Sequence, residues 1–321
     1  MKKVLFIGDN HISDKTPENR TDNYLIATIN KLKECLNIAK ELKVDAIVFL
    51  GDFFDRRIEG PTAVNESIKA LMSDDYGDSW PFPKYIVIGN HDIQSSFPLD
   101  HCSLGTLINS GLLIKTDYEP DLGIAFAHFS NDLDADISKG LLTNNSAIIW
   151  ACHASISDKP GRLEEHMIVF SNIPLHPNNS IVISGHIHHP MECQRSDNKI
   201  FVNPGCIGRR AATKDNFDRD LKVFYLEYEL DGTILTKDYI ILESAKNYKE
   251  VFKVEEIFAK KEEQKEVKEF IKQVASIKAH NWMHNSIEDK LKALRDLGKK
   301  SNLSDDIIDI AVEAVKTVGE Q

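Results

Sequence analysis

Apolar residues come in short blocks in the first third of the chain and in alternating runs later. Residues 4–7, Val-Leu-Phe-Ile, form a block that stops at Gly8-Asp9-Asn10-His11. A short, β-branched and aromatic run of this kind is the pattern of a strand buried on both faces. Over residues 24–42 the positions Leu25, Ile29, Leu32, Leu36 and Ala39 recur at helical spacing. A second buried run at 46–50 ends in Gly51-Asp52, a shorter helix covers roughly 62–72, and a third run at 85–88 ends in Gly89-Asn90-His91-Asp92. This strand–helix–strand–helix–strand order predicts a parallel sheet with right-handed crossovers.

After residue 105 strands dominate, at 124–127, 147–151, 180–184 and 199–202. Runs at 221–229 and 234–242 flank Asp231-Gly232, a strong hairpin signal. From about residue 246 the composition turns to Lys/Glu-rich helix. Val267, Phe270, Ile271, Val274 and Ile277 form an amphipathic stripe, Ser286 opens a second helix with Leu291, Leu294 and Leu297, and Ser304 caps a third. The division predicted is a catalytic domain over 1–245 and a helical extension over 246–321. The stripe needs burial, in cis by default, or else against a partner or a second copy.

The 321 residues are 42% apolar and 28% charged, which excludes collagen-like, low-complexity and disordered chains. Against 39 Lys and Arg stand 50 Asp and Glu, a net charge of −11. Residues 246–321 hold 15 of each sign, so the first 245 carry the whole excess. A polyanion site there needs a local positive source such as bound metal. Cys35, Cys102, Cys152, Cys193 and Cys206 form no C-x-x-C pair and predict buried free thiols. The N-terminal block is too short for a signal peptide, and no apolar run approaches the ~20 residues of a membrane span. The expectation is a cytoplasmic protein with no membrane partner.

The polar residues that end the runs carry the chemistry: Asp9 and His11, Asp52, Asn90 and His91, His153, then His186 and His188 in Gly185-His186-Ile187-His188. Strand ends in open α/β sheets converge on one edge, where ligands bind. Carboxylate, amide and imidazole together are metal donors. A lone His is usually surface or satisfied core, and a lone Gly-Asp a turn. Five such ends are hard to reconcile with packing, because buried carboxylates and imidazoles cost free energy unless paired or metal-bound. His128 competes with His153, since both follow an apolar run.

The order D-x-H, GD-x-x-D, GNHD, a lone His and GHIH resembles the calcineurin-like metallophosphoesterase superfamily over roughly residues 4–210. The resemblance implies an α/β fold, the four-layer αββα sandwich, with the helical extension appended. It implies two divalent metals, commonly manganese, sometimes iron, zinc or nickel. Asp9, His11, Asp52 and His188 would hold one, and Asp52, Asn90, His153 and His186 the other. His153 is preferred over His128 for its place one unit before GHIH. Asp55 stands where purple acid phosphatases carry a tyrosine ligand, which disfavours that redox-active variety. A metal-activated water would be the nucleophile, and no G-x-S-x-G or P-loop signals another. His91 would be the proton donor to the leaving oxygen, with Asp55 first and Asp92 second as the carboxylate that orients it; Arg56 is a candidate phosphate contact or a surface ion pair.

Within the superfamily the chain looks most like SbcD-like nuclease subunits of double-strand-break repair, phage relatives included. The features are Asp9-Asn10-His11-Ile12-Ser13, the polar stretch 14–23, Gly51-Asp52-Phe53-Phe54-Asp55, Asn90-His91-Asp92 and Asn203-Pro204-Gly205-Cys206. That resemblance implies DNA exo- or endonuclease activity in recombination and repair, an SbcC-like ATPase partner and a homodimer. The short region after the core and the lack of an aromatic–basic stripe depart from it. Arg209, Arg210, Lys214 and Arg219 are candidate backbone contacts. The alternatives are a phosphatase or a small-molecule or cyclic-nucleotide phosphodiesterase on the same site, or a non-catalytic, metal-stabilised binding subunit.

Overall fold

A computed structural model describes residues 1–93, 98–139, 146–159, 167–213, 216–217, 219–258 and 287–300, with positions 305, 308, 309 and 312. The strands in chain order are β1 (Lys2–Ile7), β2 (Ala46–Phe49), β3 (Lys84–Ile86), β4 (Tyr118–Glu119), β5 (Ile124–Ala127), β6 (Ile149–His153), β7 (Ile156–Ser157), β8 (Ile168–Val169), β9 (Ile181–Gly185), β10 (Met191–Gln194), β11 (Ile200–Asn203), β12 (Lys222–Tyr228) and β13 (Ile234–Ile241). Among them lie the helices α1 (Tyr24–Leu42), α2 (Pro61–Met72), α3 (Ser103–Asn109) and α4 (Leu133–Ser138).

Two sheets carry the fold, ordered β13-β12-β1-β2-β3 and β10-β11-β9-β6-β5-β4. β1, β2 and β3 are parallel neighbours, as the repeated strand–helix order requires. β5, β6, β9 and β11 are parallel in the second sheet. The 221–242 region forms the expected hairpin.

Side-chain alternation explains why the sheets stack. On β1, Leu5 and Ile7 join Leu32, Leu36 and Ala63 in a core under α1 and α2. Val4 and Phe6 point the other way and share a core with Ile124, Ile149, Ile181 and Ile183 of the second sheet. That sheet's opposite face, with Trp150, Val182 and Phe201, packs on Leu133 and Ile137 of α4. A strand covered on both faces has no polar side to show, so β1 reads as an unbroken apolar block. The result is the αββα sandwich.

The chain divides into two compact units, Met1–Phe252 and Lys253–Gln321. The boundary read at 245 lies inside the first unit, because Val251 and Phe252 are buried there and Phe252 bridges back to Arg20. In the second unit a helix spans Ile287–Lys300, and Ile308 lies against Gly298. The stripe 267–277 and the caps at Ser286 and Ser304 lie outside the described residues. Among those described, no helix is long and apolar enough to cross a membrane, and all five cysteines are free.

Candidate metal centre

The polar residues stand just past the C-terminal ends of parallel strands. β1 is followed by Gly8-Asp9-Asn10-His11, β2 by Leu50-Gly51-Asp52 and β3 by residues 87–91. β6 ends on His153 itself, and β9 ends on Gly185 ahead of His186 and His188. Turning this sharply out of a buried strand demands unusual backbone. His11, Asp52 and His186 have φ of 48°, 46° and 77°, a left-handed region in which Asp, Asn and His are the least disfavoured non-glycine residues. Such strain persists where contacts hold it, and here the Asn10 and His11 amides both donate to the Asp52 carbonyl, at 3.1 and 2.9 Å. Gly89 is required by closeness, since a Cβ on it would collide with the Asp52 carboxylate.

The side chains from both sheets meet. His11 Nε2 lies 2.9 Å from His188 Nε2. Asp9 Oδ2 is 3.9 Å from His11 Nε2 and 3.4 Å from His188 Nε2. Asp52 Oδ2 is 3.7 Å from His11 Nε2 and 3.4 Å from His153 Nε2, so it sits between the two groups. Asn90 Oδ1 lies 3.0 Å from His153 Nε2 and 2.9 Å from His186 Nδ1. Asp9, His11, Asp52 and His153 are essentially fully buried. All seven residues expected as ligands thus lie in one cluster, with Asp9 Oδ1 also accepting from the His186 amide at 3.1 Å.

The charges are those of a cage for cations. Burial alone would push Asp52 up, yet His153, His11 and His91 beside it hold it below the ordinary carboxylate range. Burial pushes His188 down to about 4 and lowers His11 and His186 as well, leaving those imidazoles neutral with a lone pair to give. His153 alone is raised, to about 9: burial opposes its charge, but Asp52 and Asp9 outweigh it. A proton there stands between two carboxylates, where a metal cation would also fit. His153 Nδ1 donates to the Leu50 carbonyl at 2.7 Å, which turns Nε2 toward Asp52 and Asn90, the arrangement that orients metal-binding histidines.

Three observations test whether divalent ions fit. Asp9 Oδ2 is buried without a hydrogen-bond partner. The His11 and His188 nitrogens approach as if sharing one cation. Ligand atoms of His11, Asp52 and His91, of Asp52, His153 and His186, and of His11, His188 and Cys206 each fall within 4.8 Å of one another. The mixed oxygen and imidazole donors suit first-row divalent metals.

Around this cluster the structure redistributes some roles. His91 Nδ1 donates to the main-chain carbonyl of Asp55 at 2.6 Å, and the His91 amide donates to Asp52 Oδ1 at 2.8 Å. The Asp55 carboxylate, expected to orient His91, instead lies 3.3 Å from His11 Nδ1 and 2.6 Å from Arg210 Nη2. Asp92 is buried and accepts from the Gly89 and Phe54 amides, so it braces the ligand loop. Arg56 pairs with Asp14 at 2.9 Å and Glu59 at 2.7 Å, the ion-pair alternative. His128 Nδ1 accepts from the Ile88 amide and Nε2 donates to the Thr116 carbonyl; it is a partly buried side chain with both ring nitrogens engaged, apart from the cluster.

Two neighbours take places the sequence did not assign: the Cys206 thiol beside His11 and His188, and Arg210, expected as a backbone contact, which pairs with Asp55. Cys206 and Arg210 come from the loop after β11, and Arg219 pins that loop by donating to the Cys206 and Gly208 carbonyls. The Asn203-Pro204-Gly205-Cys206 motif pointed to the loop but gave no role for its thiol. Lys214 lies outside the described residues.

The sequence profile of the calcineurin-like phosphoesterase family matches residues 2–190. Comparison with curated proteins returns no match. Among solved structures, an archaeal phosphodiesterase aligns at 14% identity over 75% of this chain and 99% of its own, with a TM-score of 0.38. A dimetal phosphatase from Danio rerio aligns at 12% identity over 70% and 92%, TM-score 0.40. The phosphoesterase Yfce from E. coli aligns at 15% identity over 74% and 98%, TM-score 0.34.

Proposed function

Because the chain belongs to the calcineurin-like phosphoesterase family, we propose that it is a dimetal phosphodiesterase whose substrate is DNA, a nuclease of recombination and repair that uses manganese and works beside an ATPase partner. The observation that carries the phosphodiester chemistry is the position of Asp52, within 3.7 Å of both His11 and His153. It makes one carboxylate common to two sets of donors. The DNA reading is supported by the motifs around Asp9, Asp52, Asn90 and Asn203.

Asp9, His11, Asp52 and His188 would hold one ion, and Asp52, Asn90, His153 and His186 the other. Bound there, the pair supplies positive charge for the phosphate and a water acidic enough to attack it. The protein's own residues do the rest. The Asp55 carbonyl holds the proton on His91 Nδ1, leaving Nε2 free at the site edge. In its charged form that nitrogen gives a proton to the departing oxygen. The Asp52 Oδ1 bond to the His91 amide keeps the ring in register with the donors.

The test is a substrate panel on protein stripped by chelation and reloaded with Mn²⁺. Single- and double-stranded DNA, mononucleotides and bis-p-nitrophenyl phosphate are compared. Cleavage of DNA and of the synthetic diester is expected. Intact DNA under conditions that cleave the small esters would leave the site chemistry standing and replace the substrate by a small phosphoester. No hydrolysis of any ester would favour the binding-subunit alternative.

A further inference from the structure

A second cationic site lies outside the metal centre. A cavity of about 220 Å³ opens between the first turns of α1, the loop at Arg209 and the segment 244–251, lined by Arg20, Asp22, Lys31, Arg209 and Lys246 among others. Four of these side chains are cations and one is an anion. Asp22 is fully engaged by Arg20, with Nε–Oδ1 at 2.8 Å and Nη2–Oδ2 at 2.7 Å. Arg20 also donates to the Arg209 carbonyl at 2.6 Å.

Among the described residues neither Lys31 nor Arg209 forms an ion pair in the cavity; Asp22 acts on Lys31 only through space. Lys31 is 4% exposed, and its Nζ donates to the Ala27 carbonyl of its own helix at 3.1 Å. Arg209 is 8% exposed, and its Nε is buried with no hydrogen-bond partner. The guanidinium's Nη1 donates to the Asn216 carbonyl, and the acidic group acting on Arg209 is Asp220, which is exposed. Burying an uncompensated cation is costly. Burial pushes Lys31 down to about 8, with Arg20 adding to the effect. The N-terminal turn of α1, capped by Asn23, adds a positive dipole end on the same side.

We propose that this cavity is an anion site that takes a phosphate group, held by Lys31 and the Arg209 Nε with Lys246 at the rim. The phosphate would come from free phosphate or a nucleotide, or from the backbone of a polynucleotide strand. Arg209 adjoins Arg210, which pairs with Asp55 at the metal centre, so one loop contributes to both the cavity wall and the surroundings of the metal donors. The site does not depend on the DNA reading.

The test is calorimetric titration of the full-length, Mn²⁺-loaded protein with inorganic phosphate, then with a phosphate-containing oligonucleotide, each repeated in excess chelator. Phosphate binding that survives chelation is expected. Lys31→Met should weaken it by about ten-fold or more, as loss of one charge-assisted bond does. Lys246→Ala, on an exposed side chain, should weaken it less without disturbing the fold. If Lys31→Met weakens both ligands the strand is the source, and if it weakens phosphate alone the free anion is. Loss of all phosphate binding on chelation, or chelator-resistant binding unchanged in Lys31→Met, overturns the proposal.

Discussion

His91 and Asp55 show how one residue's main chain and side chain can serve different neighbours. The Asp55 carbonyl fixes the His91 ring, while its carboxylate reaches His11 and Arg210. The two contributions separate by mutation. His91→Ala keeps the amide that anchors Asp52, so metal content measured by mass spectrometry should be unchanged. Diester turnover should fall by about 10²–10⁴, the range for losing a general acid; an unchanged rate would remove His91 from the mechanism. Asp55→Asn keeps the carbonyl, so the His91 ring stays placed. What it loses is the charge beside His11 Nδ1, and metal affinity should weaken by about 10–100-fold. If Asp55→Asn instead cut turnover with metal saturating and affinity intact, the carboxylate would be acting on His91 after all. Why sequence left this open is physical: a D-x-x-D-R spacing gives the position of a residue but not which of its oxygens faces the site.

At the scale of elements, the segment leaving β3 depends on a histidine from the end of β5. His128 accepts from the Ile88 amide at 3.1 Å, one residue before Gly89-Asn90. Burial, with Lys115 adding to it, pushes its pKa from 6.5 down to about 4. The folded protein therefore holds His128 neutral while the unfolded chain protonates it below about 6.5. Stability should fall as pH drops from about 6.5 toward 4, by roughly 2–3 kcal/mol from this residue. His128→Gln preserves an acceptor and a donor but does not titrate. The difference between the two proteins' thermal midpoints should therefore shrink or reverse as the pH is lowered through that window. A constant difference would mean His128 contributes nothing to acid sensitivity. The strands that position the metal donors were legible because each is an apolar block cut off by Asp, Asn or His. β10, with the sequence Met-Glu-Cys-Gln, is a part-exposed edge, and α3 and α4 span 7 and 6 residues. Those lengths are too short for a helical period to emerge. The run read at 147–151 is displaced to Ile149–His153, because β pairing with β9 continues through His153 to Gly185.

For the whole molecule, the division after Phe252 rather than at 245 matters because the segment between them reaches the same arginine that serves the cation-lined cavity. Phe252 bridges to Arg20 and lies under its guanidinium, 5.5 Å from the ring centre, and packs on Phe217 at 5.8 Å. The Thr21 amide donates to the Val251 carbonyl at 3.0 Å. Arg20 in turn holds the carbonyl of Arg209, next to the Arg210 that pairs with Asp55. A contiguous set of contacts thus runs from the end of the first unit to a residue beside His11. Composition marked the change to Lys/Glu-rich helix near 246, but it could not register two apolar side chains folding back onto the sandwich. A chain ending at 245 loses Val251 and Phe252, each almost fully buried, at roughly 1.5–3 kcal/mol apiece. At about 2–4 °C per kcal/mol for a domain of this size, its thermal midpoint should lie roughly 10 °C below that of a chain ending at 252. Metal binding should weaken with it as the Arg209–Arg210 strand of the loop loosens. Equal midpoints for the two truncations would mean that the 246–252 segment is not part of the first unit's core, and that the arginine contacts stand without it.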